Sequence, residues 1–103
     1  MMSREFEMYV GNVFEKLGFG VNVTQATRDG GKDIIATKKF AIPYTVYIEC
    51  KHKKEGNKVG VDVIRSSYGV QMAKRVNQSI VVTSTSFTKD ACEFAQELKD
   101  WLC

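Results

Sequence analysis

Two charged residues suited to acid–base or metal chemistry, Glu49 and Lys51, lie two positions apart at the end of a strand-like run, residues 44–51. Side chains alternate across a β-strand, so both charged groups emerge on one face while the apolar residues of the run point to the other. Asp33 begins a second strand-like run, residues 33–37, after the turn-rich stretch 28–32. If the two strands are neighbours, both carboxylates reach one point and the lysine lies beside it.

This set of side chains suits phosphodiester hydrolysis. Two hard oxygen ligands with open coordination positions favour Mg²⁺, which keeps several waters and prefers carboxylates together with substrate phosphate oxygens. A lysine ammonium beside the ion can orient a water, help to deprotonate it, or stabilise the charge that develops on a phosphate during attack. Hydrolysis of a phosphodiester is the chemistry that the three residues fit best.

The spacing of Glu49 and Lys51 is not specific by itself. Glu97 and Lys99 repeat it, but in a helical context, where residues two apart diverge by about 200° at about 100° per residue. Without Asp33, an exposed ion pair on a solvated sheet face would be the favoured interpretation of Glu49 and Lys51. The acid on the other strand, the glycine turn and the basic run after Lys51 favour an active site instead.

The periodicity of the chain predicts an α/β fold in which a mixed central β-sheet is flanked by helices. The expected order is α-β-β-β-α-β-α, with helices at 3–17, at 59–74 and after Thr88, and strands at 19–24, 33–37, 44–51 and 79–83. Gly18 ends the first helix and Thr88 caps the last. The short β-branched run at 79–83 is typical of a buried parallel strand, joined to the preceding strand by the intervening helix.

Length and composition indicate one compact domain over residues 1–103. The hydrophobic share of 44% and the charged share of 26% are ordinary for a globular protein, and no apolar run is long enough to span a bilayer. The charged N-terminus lacks the apolar core of a signal peptide, so we expect a cytoplasmic protein without a membrane partner. The 3 cysteines form no C-x-x-C pair, which predicts reduced thiols rather than a disulfide framework or a zinc site.

Six short segments follow one another in the order found in Mrr-type restriction endonuclease domains. They are Phe6-Glu7, Leu17-Gly18-Phe19, Asp29-Gly30-Gly31-Lys32-Asp33, Ile48-Glu49-Cys50-Lys51, Val59-Gly60-Val61 and Val81-Val82-Thr83. The chain resembles this family, which is part of the PD-(D/E)xK nuclease superfamily, over nearly its whole length. The resemblance implies a restriction-endonuclease-like fold.

The resemblance also implies roles for individual residues. The family's two metal-binding acids fall on Asp33 and Glu49 and its lysine on Lys51, while the acid on its first helix falls on Glu7, which is then an outer metal ligand. Lys32 stands where the superfamily's name implies a proline, a departure that Mrr-type domains commonly share. Glu7 keeps a second explanation, because carboxylates are generally favoured in the first turn of a helix.

Positive charge around the three residues favours a polyanionic partner. The net charge of +3 is modest, but a basic run at residues 51–54 directly follows the strand with Glu49. Cations bind nucleic-acid backbones without reading sequence, so Arg28, Lys32, His52 and Lys53 are candidates for phosphate contacts. Each of these four residues, taken alone, is better explained as a solvated charge.

Together these features predict a Mg²⁺-dependent deoxyribonuclease, with Mn²⁺ able to substitute, DNA as its partner and no organic cofactor. A single active site cuts one strand, so a homodimer is the simplest route to cleavage of a duplex. One alternative is a DNA-binding module of a larger assembly that keeps the fold but does not cut. Another is a nuclease for a different substrate, such as RNA or a branched DNA junction.

Overall fold

A computed structural model describes residues 3–25, 32–39 and 41–98, with the backbone alone described for residues 3, 4, 24, 25, 32 and 33. Its elements are α1 (Ser3–Lys16), β1 (Gly20–Gln25), β2 (Lys32–Lys38), β3 (Tyr44–Lys51), β4 (Lys58–Val59), α2 (Val61–Lys74), β5 (Gln78–Thr83), β6 (Ser86–Phe87) and α3 (Lys89–Glu97). The predicted helices and strands occur in the predicted order, and β4 and β6 are additional. The glycine turn and Arg28 lie outside the described residues.

The main sheet is mixed and has the strand order β1-β2-β3-β5. The pairs β1–β2 and β2–β3 are antiparallel, whereas β3 and β5 are parallel and are connected through α2. The short strands β4 and β6 form a separate two-stranded parallel ladder. The predicted mixed α/β architecture, including the parallel strand after the second helix, is therefore confirmed.

Helices cover both faces of the main sheet. On one face α1 packs over the even-numbered residues of β2 and β3, and the buried members of this cluster are Phe6, Val10, Ile34, Ala36, Val46, Ile48 and Cys50. On the other face α2 and α3 form a second cluster around Ile64, Ala91 and Ala95, against which Val81 of β5 packs. Because side chains alternate along a strand, the odd-numbered residues of β3, including Glu49 and Lys51, lie on the α2 and α3 side.

The end of α1 is fixed by a glycine and a lysine. Gly18 has a φ of +96°, in the left-handed region that glycine adopts without strain. The Lys38 Nζ atom donates a hydrogen bond of 2.9 Å to the Leu17 carbonyl oxygen and lies 5.4 Å from the centre of the Phe19 ring. Lys38 therefore joins β2 to the carboxyl end of α1, where a cation is favoured by the helix dipole.

The predicted cap of α3 is confirmed. The Thr88 hydroxyl oxygen accepts a hydrogen bond of 3.2 Å from the Ala91 amide and donates one of 2.6 Å to the Asp90 carboxylate. This contact with Thr88 holds the pKa of the exposed Asp90 carboxyl below its usual value. The cap fixes the point at which the chain enters α3.

Loss of this cap is expected to destabilise the fold. Thr88→Ala removes the oxygen that accepts from the Ala91 amide, so the free energy of unfolding should fall by about 1 kcal/mol. Thr88→Ser keeps the hydroxyl and should restore most of the loss. Urea unfolding followed by circular dichroism measures both variants, and a Thr88→Ala protein as stable as its parent would contradict the assignment.

The cysteines differ from one another. Cys50 is buried under α1 and forms no disulfide, as expected, but Cys92 of α3 is disulfide-bonded. The prediction of reduced thiols is therefore wrong for Cys92, because spacing along the sequence does not determine which cysteines meet in the fold. Among the described residues, no helix combines the length and the apolar character needed to cross a membrane.

Candidate active site

The backbone register places Asp33 directly opposite Glu49 in the antiparallel pair β2–β3. Residues that oppose each other in this way share one face of the sheet, with Cβ atoms about 4.5–5.5 Å apart. The predicted adjacency of the two strands is thus confirmed, and it gives Asp33 and Glu49 positions from which two carboxylates can reach one ion. Only the backbone of Asp33 is described, so the contacts of its side chain stay a prediction.

Glu49 is a buried carboxylate paired with Lys51. The Lys51 Nζ atom lies 3.2 Å from Glu49 Oε2, and Glu49 is only 8% exposed. The interpretation of these two residues as a solvated surface pair is therefore wrong for Glu49. A buried carboxylate loses favourable hydration, which a nearby cation partly offsets.

The pair lies at the carboxyl end of two parallel strands. Lys51 is the last residue of β3 and is in register with Thr83, the last residue of β5, while Glu49 is in register with Val81. The carboxyl ends of parallel strands are the usual position of ligand sites in open α/β sheets. The charged residues of β3 therefore face a part of the fold where a substrate can approach.

Glu7 comes from the helix on the opposite face of the sheet. The acidic residue in the first turn of α1 is Glu5, so the preference of first turns for carboxylates does not account for Glu7, which lies two residues further along the helix. The ring of Phe6 lies 5.6 Å from the ring of His52, which brings this end of α1 close to the end of β3. Glu7 is partly buried there, and its role as an outer metal ligand stays a prediction.

The described side chains do not by themselves form a metal site. Within the described part of the chain, no group of three or more His, Cys, Asp or Glu side chains is placed to hold a metal ion. That set excludes the side chain of Asp33, the residue that stands opposite Glu49. The observed geometry therefore supplies one carboxylate with its lysine, and a backbone position for the second carboxylate.

Ser84 fixes the segment that follows Lys51. Its amide donates to the Lys51 carbonyl oxygen at 3.2 Å, its hydroxyl oxygen accepts from the Lys53 amide at 3.1 Å, and the same oxygen lies 3.0 Å from His52 Nδ1. Sequence patterns do not single out Ser84. The only signal for it is its place directly after β5, the strand that neighbours β3. These contacts hold the basic run in a defined position beside the candidate site.

The structure places two of the four predicted phosphate-binding residues next to this site. His52 and Lys53 continue directly from β3 and are partly buried. Lys32 occupies the register position opposite Gln25 in β1, but its side chain is not described, and Arg28 is outside the described residues. Contact of these cations with DNA stays a prediction.

Comparison with known proteins identifies related sequences and one related fold. The family model Mrr_cat, described as "Restriction endonuclease", matches residues 1–100. The uncharacterized protein y4cE of Sinorhizobium fredii is 33% identical over 94 residues, which is 87% of this chain and 23% of that protein. The type IV methyl-directed restriction enzyme EcoKMrr of Escherichia coli is 29% identical over 100 residues, which is 91% of this chain and 32% of that enzyme.

A solved structure confirms the type of fold. The DNA modification-dependent restriction endonuclease AspBHI superposes with a TM-score of 0.64 at 17% sequence identity, over 92% of this chain and 28% of that one. At this identity the likeness concerns the fold alone. The chain spans between about a quarter and a third of the length of the proteins that it matches.

Proposed function

Since the chain belongs to the Mrr-type restriction endonuclease family, we propose that it hydrolyses backbone phosphodiesters of DNA with the help of a divalent metal ion, Mg²⁺ or Mn²⁺. One observation carries the proposal: Asp33 stands opposite Glu49, and the Lys51 ammonium lies 3.2 Å from the Glu49 carboxylate. Two acids and a lysine at the end of one strand pair match the requirements of phosphodiester hydrolysis.

The donor set fits a hard divalent cation. Asp33 and Glu49 would hold the ion, and Glu7 would act as an outer ligand. Carboxylate oxygens are preferred by Mg²⁺, which binds one or two of them together with phosphate oxygens and water. When bound, the ion would polarise a phosphate oxygen and lower the pKa of a water.

Lys51 supplies the positive charge that the chain itself brings to the reaction. Its ammonium can orient the attacking water and stabilise the charge that develops on the phosphate. Glu49 is buried, where the effective dielectric constant is lower than in water, so its carboxylate and the Lys51 ammonium interact more strongly than they would at an exposed surface. Ser84 holds the segment after Lys51 by contacts on both its backbone and its side chain, which supports a fixed position for the lysine.

DNA is the proposed substrate because cations adjoin the acids. His52 and Lys53, and from the sequence Arg28 and Lys32, would contact phosphates near the cut without reading base sequence. The names of two similar proteins refer to methyl-directed and modification-dependent cleavage, so modified DNA is a substrate to test. A homodimer is part of the proposal, since one site cuts one strand.

The proposed activity is tested by incubating the protein with supercoiled plasmid, methylated plasmid and a branched junction. Each substrate is treated with Mg²⁺, Mn²⁺ or EDTA, and nicked and linear products are separated on a gel. We expect nicking or linearisation with either metal and none with EDTA. DNA binding without cutting under any condition would favour a module that keeps the fold but is catalytically silent.

A further inference from the structure

A groove adjoins the carboxyl end of β3, where its lining begins with His52 and Lys53, the residues directly after Lys51. It encloses about 590 Å³ between the segment after Lys51 and the turn that joins β5 to β6. Residues on its walls include His52, Lys53, Glu55, Asn57, Lys58 and Ser86. The near wall contains His52 and Lys53, two of the predicted phosphate-binding residues. The far wall contains Asn57, Lys58 and Ser86, to which the proposed function assigns no role.

The lining of the groove matches the chemistry of a sugar-phosphate backbone. Lys53 and Lys58 supply two ammonium groups, against the single carboxylate of Glu55, and Asn57 and Ser86 supply neutral hydrogen-bonding groups. Ammonium, amide and hydroxyl groups are among the side-chain groups that contact phosphate oxygens in protein–DNA complexes. Neither a deep apolar pocket nor a base-sized hydrophobic slot is needed for this kind of contact.

Both walls are held in place by the fold. On the far wall, Lys58 pairs with Ser86 in the β4–β6 ladder, and the next residue, Val59, is completely buried. The Val59 carbonyl oxygen also accepts a hydrogen bond of 2.9 Å from the Thr88 amide at the start of α3. On the near wall, Ser84 fixes residues 51–53. A groove with both walls fixed before binding orders less of the chain when a ligand enters.

We propose that this groove is a second backbone-binding subsite, which holds the DNA strand on one side of the cleaved bond. The inference rests on the proposed function, and its new element is the far wall, with Lys58 as the phosphate-binding cation and Asn57 and Ser86 beside it. His52 directly follows Lys51 and lines the groove, so in this proposal a DNA strand whose cleaved phosphate lies at Glu49 and Lys51 continues into the groove. A cation on the far wall then contacts a neighbouring phosphate.

The subsite is tested by the salt dependence of DNA binding without catalysis. Affinity for a short duplex is measured in EDTA over a range of salt concentrations, for the parent and for Lys58→Gln. Each phosphate contact contributes about 0.9 to the slope of log K against log salt concentration for duplex DNA. We expect Lys58→Gln to make the slope shallower by about 0.9 and to weaken binding, while Lys58→Arg, which keeps the charge, retains the parent slope.

Lys74→Gln is the matched control, because Lys74 is an exposed lysine in the last turn of α2 and is not on the groove. It should leave the slope unchanged. An unchanged slope in Lys58→Gln, or an equal change in Lys58→Gln and Lys74→Gln, would overturn the subsite while leaving the proposed nuclease intact. If the parent itself fails to bind DNA, the proposed function fails first, so the two failures are distinguishable.

Discussion

Glu49→Gln is expected to lower metal-dependent cleavage of plasmid DNA by about 10²- to 10³-fold, the usual loss when one group that stabilises the transition state is removed. The substitution keeps the shape of a side chain that is 8% exposed, but it removes the negative charge beside the Lys51 ammonium. Asp33→Asn, at the opposing position of β2, is expected to have an effect of the same size. Initial rates of nicking at saturating Mg²⁺ or Mn²⁺ measure both variants.

Glu97→Gln provides the matched control for these acids. Glu97 has the same spacing to a lysine, Lys99, but it is exposed and lies at the end of helix α3. Its rate should equal that of the parent, and circular dichroism should show that all the variants are folded. If Glu49→Gln cuts DNA as fast as Glu97→Gln, the Glu49 carboxylate is not needed for cleavage.

Lys51→Met is expected to reduce cleavage by about 10²-fold or more, because the ammonium that orients water and stabilises the phosphate charge is lost. Lys51→Arg keeps the positive charge but replaces a compact ammonium by a planar guanidinium, so it should recover only part of the rate. For duplex binding in EDTA, the slope of log K against log salt concentration should change by no more than the value of one phosphate contact, about 0.9. Loss of cleavage with binding largely intact separates catalysis from simple attraction of DNA.

The same substitution should also affect stability, because it leaves the buried Glu49 carboxylate without this ammonium. We expect Lys51→Met to lower the free energy of unfolding by about 1–3 kcal/mol. Adding Glu49→Gln to Lys51→Met removes the remaining charge and should restore part of that loss. If the double variant is less stable than Lys51→Met in urea unfolding, the ion pair between Lys51 and Glu49 does not stabilise the fold as expected.

The strands that hold the candidate acids could be predicted because their patterns are strong. In residues 44–51 the even positions are apolar and pack under α1, so a shift of one residue would expose the core and bury Lys51. The predicted bounds of this strand are those of β3. The partner strand was also predicted, but the pairing of Asp33 with Glu49 was not, since the register depends on the connection between the strands as well as on the apolar pattern.

Other parts of the site lack a sequence signal. The strands β4 and β6 have two residues each, which is too short for any alternation to be recognised. They nevertheless form the far wall of the groove and position Lys58. Ser84 is equally inconspicuous, because its importance comes from contacts across the parallel pair β3–β5, which only the folded chain brings together. The burial of Glu49 likewise depends on tertiary packing.

The central claim is that Asp33 and Glu49 hold one metal ion, and Mn²⁺ binding in the absence of DNA tests it most directly. Isothermal titration of the parent, Asp33→Asn, Glu49→Gln and the double variant gives the affinity and the stoichiometry of each. We predict a single site in the parent, a loss of about 10-fold or more in affinity in either single variant, and a loss in the double variant that differs from the sum of the two single losses, because both residues bind the same ion. Parent-like Mn²⁺ affinity in both single variants would contradict the claim.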